Sequence, residues 1–472
     1  MEKGIKGYGN GYGNGFFGNI FHNSRSINVK RLISALLVFS LLTFVFMGCN
    51  KKGSLLDPSN PVTLNMCHVY GEQADSPMNR YVEEFNSTVG KEKGVIINVA
   101  FFSNASQIGE QLVKIQQGKT DVPSMPDLFF CHASNVLEIG VGNVLNWKKY
   151  FSADEIKDFV DSFVSDGTIG DSLAVLPVSK STHLLFLAGG VFKRFSDATG
   201  VTYNDLATWD GFFDAAAKYY AYSGGKPFCA IDYVMRTAEL DAISAGATDF
   251  YDGKGWYKDN EILLSSFRKF ASSIAKGHIV VSNLYSNTQV MRGQTASGIS
   301  SSAAVLYYND VITYSPDNET EEMQLKVLPL PSSDGDKKYA TQAGVGLCAY
   351  KTTEQKAEAA TVFAKWFLEE KRNLDFVAQT GYMPVRNGAF DKLSGYTFKN
   401  DGFKATYLAM KTTRDTCVFL SEPSVKGYFP NTYALYNGIR KLQADLKNKY
   451  DSGKTADDIT EEIVGLFRNT GK

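Results

Sequence analysis

Val62-Thr63-Leu64-Asn65-Met66-Cys67-His68-Val69-Tyr70, followed shortly by Ser76-Pro77-Met78-Asn79-Arg80-Tyr81-Val82-Glu83-Glu84-Phe85, decides the fold class. The first run predicts a strand over residues 62–70. Ser76 is a natural helix cap and Pro77 suits a first helical position. Met78, Tyr81, Val82 and Phe85 then recur at i, i+3, i+4 and i+7, which gives one apolar helical face. Residues 95–102 predict a second strand. A helix follows with Ile108, Leu112 and Ile115 aligned and Gly118 at its end, and Pro126-Asp127-Leu128-Phe129-Phe130 reads as a short buried strand. This β-α-β-α-β order predicts a parallel sheet with helices on both faces.

In such sheets ligands gather at the carboxyl ends of strands. That rule brings three loops to one edge, residues 68–76, 103–106 and 131–135. Residues 173–178 predict a further strand, which opens into Ser179-Lys180-Ser181-Thr182-His183. Thr208-Trp209-Asp210 starts a helix. Gly298-Ile299-Ser300-Ser301-Ser302-Ala303-Ala304 reads as a small-residue turn between a strand and a helix start, and Trp256 as a surface-loop aromatic. Leu325-Lys326-Val327-Leu328-Pro329-Leu330-Pro331 resembles the earlier Leu176-Pro177 segment, and both read as connections between lobes. Residues 357–370 predict a helix.

Upstream, Lys30 and Arg31 precede an apolar stretch over residues 32–47 that closes in Phe46-Met47-Gly48-Cys49. A basic flank and an apolar core of this length read as an export signal. Cys49 offers the thiol for a lipid anchor, and residues 49–61 read as a tether. Residues 1–48 are thus a signal peptide with a Gly/Tyr/Asn-rich n-region. Within it, Gly13-x-Gly15-x-x-Gly18 matches a dinucleotide fingerprint, but no predicted strand precedes it. Removing residues 1–48 takes away five basic residues and one acidic residue, so the net charge moves from −1 to −5. That balance excludes an electrostatic footprint for nucleic acid.

A mature chain of about 420 residues exceeds one simple core, so two lobes are expected. Cys67, Cys131, Cys229, Cys348 and Cys417 are scattered, with no CxxC spacing, which argues against structural zinc. At most one or two disulfides are possible, and their pairing stays open. No HExxH or GxSxG motif is present. The SxxK matches at Ser266 and Ser273 lack SDN and KTG partners. A glycan hydrolase would need two carboxylates at a set separation. No catalytic residue, metal or cofactor is assigned.

Pro126-Asp127-Leu128, Leu176-Pro177-Val178-Ser179, Thr208-Trp209-Asp210, Val327-Leu328-Pro329-Leu330-Pro331, Ala359-Ala360-x-x-Phe363-Ala364-x-Trp366 and Gly381-Tyr382-Met383-Pro384-Val385 occur in that order. Together they resemble the extracellular solute-binding lipoproteins of bacterial ABC importers, of the maltose- and glycerol-phosphate-binding type. The resemblance implies an α/β, two-lobed periplasmic-binding-protein fold, type II-like, each lobe a mostly parallel sheet flanked by helices and joined by crossing hinge strands. Lobe 1 is expected over residues 62–175 plus 331–380, and lobe 2 over 176–330 plus 381–472. The implied function is capture of a sugar, oligosaccharide or polyol phosphate and its delivery to ABC permease subunits. The protein would be a monomer, lipid-anchored on the outer face of the cell membrane or the periplasmic side of an envelope membrane. The alternatives are an exported sensory or adhesive ligand-binding lipoprotein and a glycan hydrolase. Where relatives usually carry Tyr-Tyr-Asn after the Leu-Pro strand, this chain has Phe186-Leu187-Ala188-Gly189-Gly190. The segment Lys426-Gly427-Tyr428-Phe429-Pro430-Asn431 also lacks the Arg expected of glycerol-phosphate binders.

Sugars offer hydroxyls and a C–H face, so their sites pair hydrogen-bonding groups with aromatic surfaces. Tyr70 and Glu72 after the first strand, and His132 after the third, are candidates for the rim. Ser179, Lys180 and Ser181 follow a lobe-crossing strand, and Ser300, Ser301 and Ser302 match hydroxyls that reach the ligand in relatives. Gly344 lets backbone approach closely. Tyr382 and Tyr428 are candidate stacking faces, and Trp209 a cleft wall or a packing residue at a helix start.

Overall fold

Short apolar runs form the strands, here labelled in chain order. The first group is β1 (Val62–His68), β2 (Val95–Phe102), β3 (Leu128–Cys131), β4 (Leu176–Pro177), β5 (His183–Leu187) and β6 (Cys229–Ile231). The second is β7 (Ile279–Val280), β8 (Ser297–Ser301), β9 (Lys326–Pro329), β10 (Lys338–Gln342), β11 (Gly346–Ala349) and β12 (Cys417–Ser421). The computed structural model describes residues 53–471, apart from 72–76, 104, 254, 282–284, 334–336 and 424–426. The export signal, Cys49 and Glu72 therefore lie outside the described residues. No helix among those described is long and apolar enough to cross a membrane.

Two five-stranded sheets organise the chain from residue 55 onward, in the orders β2-β1-β3-β11-β4 and β9-β5-β8-β6-β7. The first three strands are parallel, as their sequence predicts. β11 returns from the second sheet and therefore joins β3 and β4 antiparallel. In the second sheet β6 is parallel to β7 and β8, while β5 runs antiparallel to β8 and β9.

Strand alternation sorts the side chains into layers. In the first sheet Leu64, Met66, Phe130 and Leu347 face one core. Cys67, Phe129, Cys131 and Cys348 face the other side, beneath Ile108 and Leu112 of the helix Ala105–Gln116. In the second sheet Leu185, Leu187 and Ile231 pack with Phe267 and Ile274 of the helix Glu261–Ala275 and with Ile463 of the helix Ala456–Asn469. β5 serves both sides, because Leu184 and Phe186 belong to the first core and Leu185 and Leu187 to the second. Burying each such side chain contributes roughly 1.5–3 kcal/mol.

The chain passes between the sheets after β4, between β9 and β11, and after β12. These passages are laced together. Ser181 and Ala343 exchange backbone hydrogen bonds of 2.8 and 3.0 Å, and β10 pairs in parallel with β12, Gln342 beside Ser421. Met383, Val385, Phe390, Tyr407 and Met410 pack in the first core, and the chain joins the second core at Tyr428. The change of core thus falls after β12, some forty residues beyond the division at 380 expected from sequence.

Several local expectations shift. The Gly298–Ala304 stretch is a strand through Ser301 followed by a 3-10 helix, Ser302–Tyr307. Small residues are needed there because the helix Ser286–Met291 lies close: a Cβ on Gly298 would stand 2.8 Å from that of Ser286. The expected 357–370 helix spans Glu354–Phe367, capped by Thr353. A second helix restarts at Glu370, where the Glu369 carboxylate accepts from the N–H groups of Lys371 and Arg372. Trp256 is buried, and its indole donates to the Phe467 carbonyl at 2.9 Å.

Candidate functional site

Two hollows meet where the passages run between the sheets, sharing Glu422 and Phe429. The smaller, about 40 Å³, is walled by His132 at the end of β3, Asp166, and Gln342 to Gly344 before β11. The larger, about 280 Å³, is walled from the second sheet by Asp232 and Tyr233 after β6, with Arg236, Tyr285, Tyr433 and Arg440. Carboxyl ends of strands from both sheets therefore open on one cleft. A roomier hollow of about 470 Å³ lies beside β9 and the helix Asp401–Thr416 and shares no residue with these two. Tyr308, its one aromatic wall, already stacks on Phe186.

The cleft combines exposed rings with buried charge. Tyr285, Phe429 and Tyr433 are 74%, 50% and 65% exposed. Asp232 accepts from Ser300 Oγ at 2.6 Å, Ser286 N at 2.8 Å and Ser286 Oγ at 3.1 Å. Burial raises its pKa against those bonds. Burial also raises the pKa of Glu422, partly offset by the nearby Arg236 and Lys180 charges. Among the described residues no donor hydrogen-bonds the Glu422 carboxylate. Burial, and then the Lys180 charge, lower His132 to about 4, so its imidazole is neutral at physiological pH. No group of three or more His, Cys, Asp or Glu among the described residues is arranged to hold a metal.

Lys180 and Arg236 at the cleft are already engaged by carboxylates. Lys180 is 2% exposed, ion-paired to Asp166, and donates to the Gly344 carbonyl at 2.8 Å. Arg236 pairs with Glu239 at 2.7 Å and donates to the carbonyls of Leu420 and Ser421.

Of the residues singled out from sequence, His132, Gly344 and Tyr428 line the hollows. Ser300 lies one bond behind Asp232. The others fall elsewhere, each for a visible reason. Tyr70 and Ser179 are buried and bonded to each other at 2.8 Å, and the Tyr70 ring packs edge-on against Phe130, Phe376 and Tyr382. Tyr382 is half-buried against the same cluster, the pKa of its hydroxyl pushed up to about 12 by burial. Trp209 is a packing residue, 2% exposed against Phe212, Phe213 and Phe270. Ser181 is tied to Ala343, Ser301 caps the 3-10 helix through Ala303 N, and Ser302 accepts from Thr182 N.

Asp166, Asp232, Tyr233, Arg236, Tyr285, Glu422, Phe429 and Tyr433 were not anticipated. Ala230-Ile231-Asp232-Tyr233 carried a signal, since it ends a strand just as Cys131-His132 does.

The sequence pattern of bacterial extracellular solute-binding proteins matches residues 80–405. Among curated proteins, sequence comparison finds no match. The fold is similar to the cyclic α-maltosyl-1,6-maltose binding protein of Arthrobacter globiformis, with a TM-score of 0.63 and 16% identity over 87% of this chain and 100% of that one. It is also similar to UgpB of Mycobacterium tuberculosis in complex with glycerophosphocholine, with a TM-score of 0.59 and 16% identity over 87% and 98%. The Listeria monocytogenes ABC substrate-binding protein Lmo0181, in complex with cycloalternan, gives a TM-score of 0.59 and 14% identity over 87% and 98%. A pattern spanning most of the chain, over two sheets whose strand ends open on one cleft, places this protein in the bacterial extracellular solute-binding protein family.

Proposed function

We propose that this chain is the substrate-binding lipoprotein of an ABC importer and that its ligand is a neutral carbohydrate rather than a polyol phosphate. The observation that carries this reading is the company of the exposed rings Tyr285, Phe429 and Tyr433 with the carboxylates Asp232 and Glu422 in one cleft. Rings stack on the C–H face of a sugar and carboxylates accept from its hydroxyls. Lys180 and Arg236 spend their charge on Asp166 and Glu239, and Arg440 acts on the Asp232 carboxylate, so a phosphate would compete with carboxylates for each of these cations. The chain binds and does not turn over its ligand. It acts as a monomer anchored through Cys49 and passes the sugar to permease subunits.

We assign β1 to β4, β11, the helices before β4 and those from residue 354 to 416 to one lobe, and β5 to β9 with the helices between them and residues 428–471 to the other. The supporting observation is which core each segment joins. Ligand contact with both lobes favours the closed form. Titration calorimetry over oligosaccharides, polyol phosphates and glycerophosphodiesters tests the ligand class: a saturable heat with a sugar is expected, and binding of phosphate esters alone overturns it. Cys49→Ser should release the protein from membranes, whereas unchanged retention on fractionation overturns the anchor.

A further inference from the structure

The sulfurs of Cys131 and Cys348 stand 3.7 Å apart, though the residues are 217 positions apart in the chain. Both are fully buried on the helix-covered face of the first sheet. Their strands are paired: β11 runs antiparallel to β3 with Gly346 opposite Cys131 and Cys348 opposite Phe129. Cys348 is thus two residues along from the direct partner of Cys131, on the same face of the pleat. We propose that these two cysteines form a disulfide once the chain has been exported.

The strand pairing already brings the thiols into contact, and closing the bond from 3.7 Å to about 2 Å draws the two strands together at this diagonal pair. A member of an extracellular family folds outside the reducing cytoplasm, where such bonds persist. The step is an exchange with a disulfide of an oxidising partner protein or a small-molecule disulfide. One cysteine attacks that disulfide, forms a mixed disulfide and releases one partner thiol. The second cysteine displaces the other partner sulfur, closing the Cys131–Cys348 bond. The two cysteines lose two electrons, the partner disulfide gains them, and the two thiol protons end on the released thiols. Burial and the adjacent Cys348 push the Cys131 thiol well up, which disfavours reaction in the finished fold. The exchange therefore belongs to folding, before Ile108 and Leu112 cover this face.

Cys67 is the competitor. It lies on the next strand, opposite Phe129, with its side chain in the same cluster. Cys229 sits in the other core, and Cys417 on β12. The bond would tie β3, which runs into His132, to β11, which begins two residues after Gly344, and so fix two walls of the smaller hollow.

The test uses the full chain exported by its host. Free thiols are alkylated under denaturing conditions, the protein is digested without reduction, and cross-linked peptides are identified by mass spectrometry. A peptide pair joining Cys131 to Cys348 is expected, with Cys67 alkylated. Reduction should lower the melting temperature by about 3–6 °C, and the Cys131→Ala/Cys348→Ala double variant should melt at the same temperature with or without reductant. Recovery of Cys131 and Cys348 both alkylated, after export and again after refolding with oxidised glutathione, overturns the proposal. So does a Cys67–Cys131 cross-link in its place.

Discussion

Arg236 holds Glu239 at 2.7 Å inside the second core, and its other amino group donates to the carbonyls of Ser421 at 2.7 Å and Leu420 at 2.9 Å. One guanidinium thus binds the helix Val234–Ser244 to the end of β12, where the chain passes into the cleft. The Glu239 carboxylate is completed by the hydroxyls of Tyr251 and Tyr257. Removing one partner of a buried pair leaves the other charge uncompensated, at about 3–5 kcal/mol. Arg236→Ala is expected to destabilise by that amount in urea unfolding. A change below about 1 kcal/mol would show the pair to be solvated.

The same reasoning revises the part played by Lys180. A cleft lysine free to read phosphate would show a ligand-specific, salt-sensitive loss. Because its ammonium is taken by Asp166 and the Gly344 carbonyl, Lys180→Met should instead lower stability by about 3 kcal/mol. Thermal melts with and without ligand separate the two, since a pure binding defect leaves the unliganded melting temperature unchanged.

Tyr285, Phe429 and Tyr433 offer the converse case. Exposed side chains contribute little to folding, so alanine at each should move stability by no more than about 0.5 kcal/mol. Each lost stacking face is expected to cost about 0.5–1.5 kcal/mol of sugar binding. Calorimetry on the three single variants checks this, and unaltered affinity in all three would place the sugar elsewhere.

Acid should weaken the fold through two histidines. Burial, then the Arg236 charge, lower His183 to about 3, and His132 stands at about 4. In the unfolded chain a histidine titrates near 6.5. Below that pH the unfolded state takes up protons that the folded state refuses, so stability is fully present above about 6.5 and falls toward pH 3. For His183 alone the loss between pH 7 and pH 5 is about 2 kcal/mol. His183 stacks on Tyr233 at 4.4 Å between ring centres, and His183→Phe keeps a ring there while removing the titration. Urea midpoints measured from pH 7 to pH 5 should fall less steeply in that variant, and equal slopes would exonerate His183.

The sheet of β1 to β3 was legible because its period-2 and period-3.6 patterns are local. His132 and Gly344 were legible for a related reason: strand ends and glycines mark rims. The serines misled because a hydroxyl reads the same whether it faces a ligand or a neighbour, and Ser179, Ser181 and Ser302 had all found neighbours in Tyr70, Ala343 and Thr182. Lys180 misled likewise, since its partner Asp166 lies in a different segment. The second wall was hidden behind β6, three residues long, too short for a periodic pattern to announce Asp232. Glu422 owes its place to the pairing of β10 with β12, a contact between segments some eighty residues apart.

β5 gives Leu184 and Phe186 to one core and Leu185 and Leu187 to the other. Neither core can melt without stripping one side of that strand, and a strand bared on one side no longer holds its alternation for the other. Cooperativity is therefore wired through a single pentapeptide. In a calorimeter the two lobes should come apart in one endotherm, and a wound as small as Leu185→Ala should lower that single peak rather than split it.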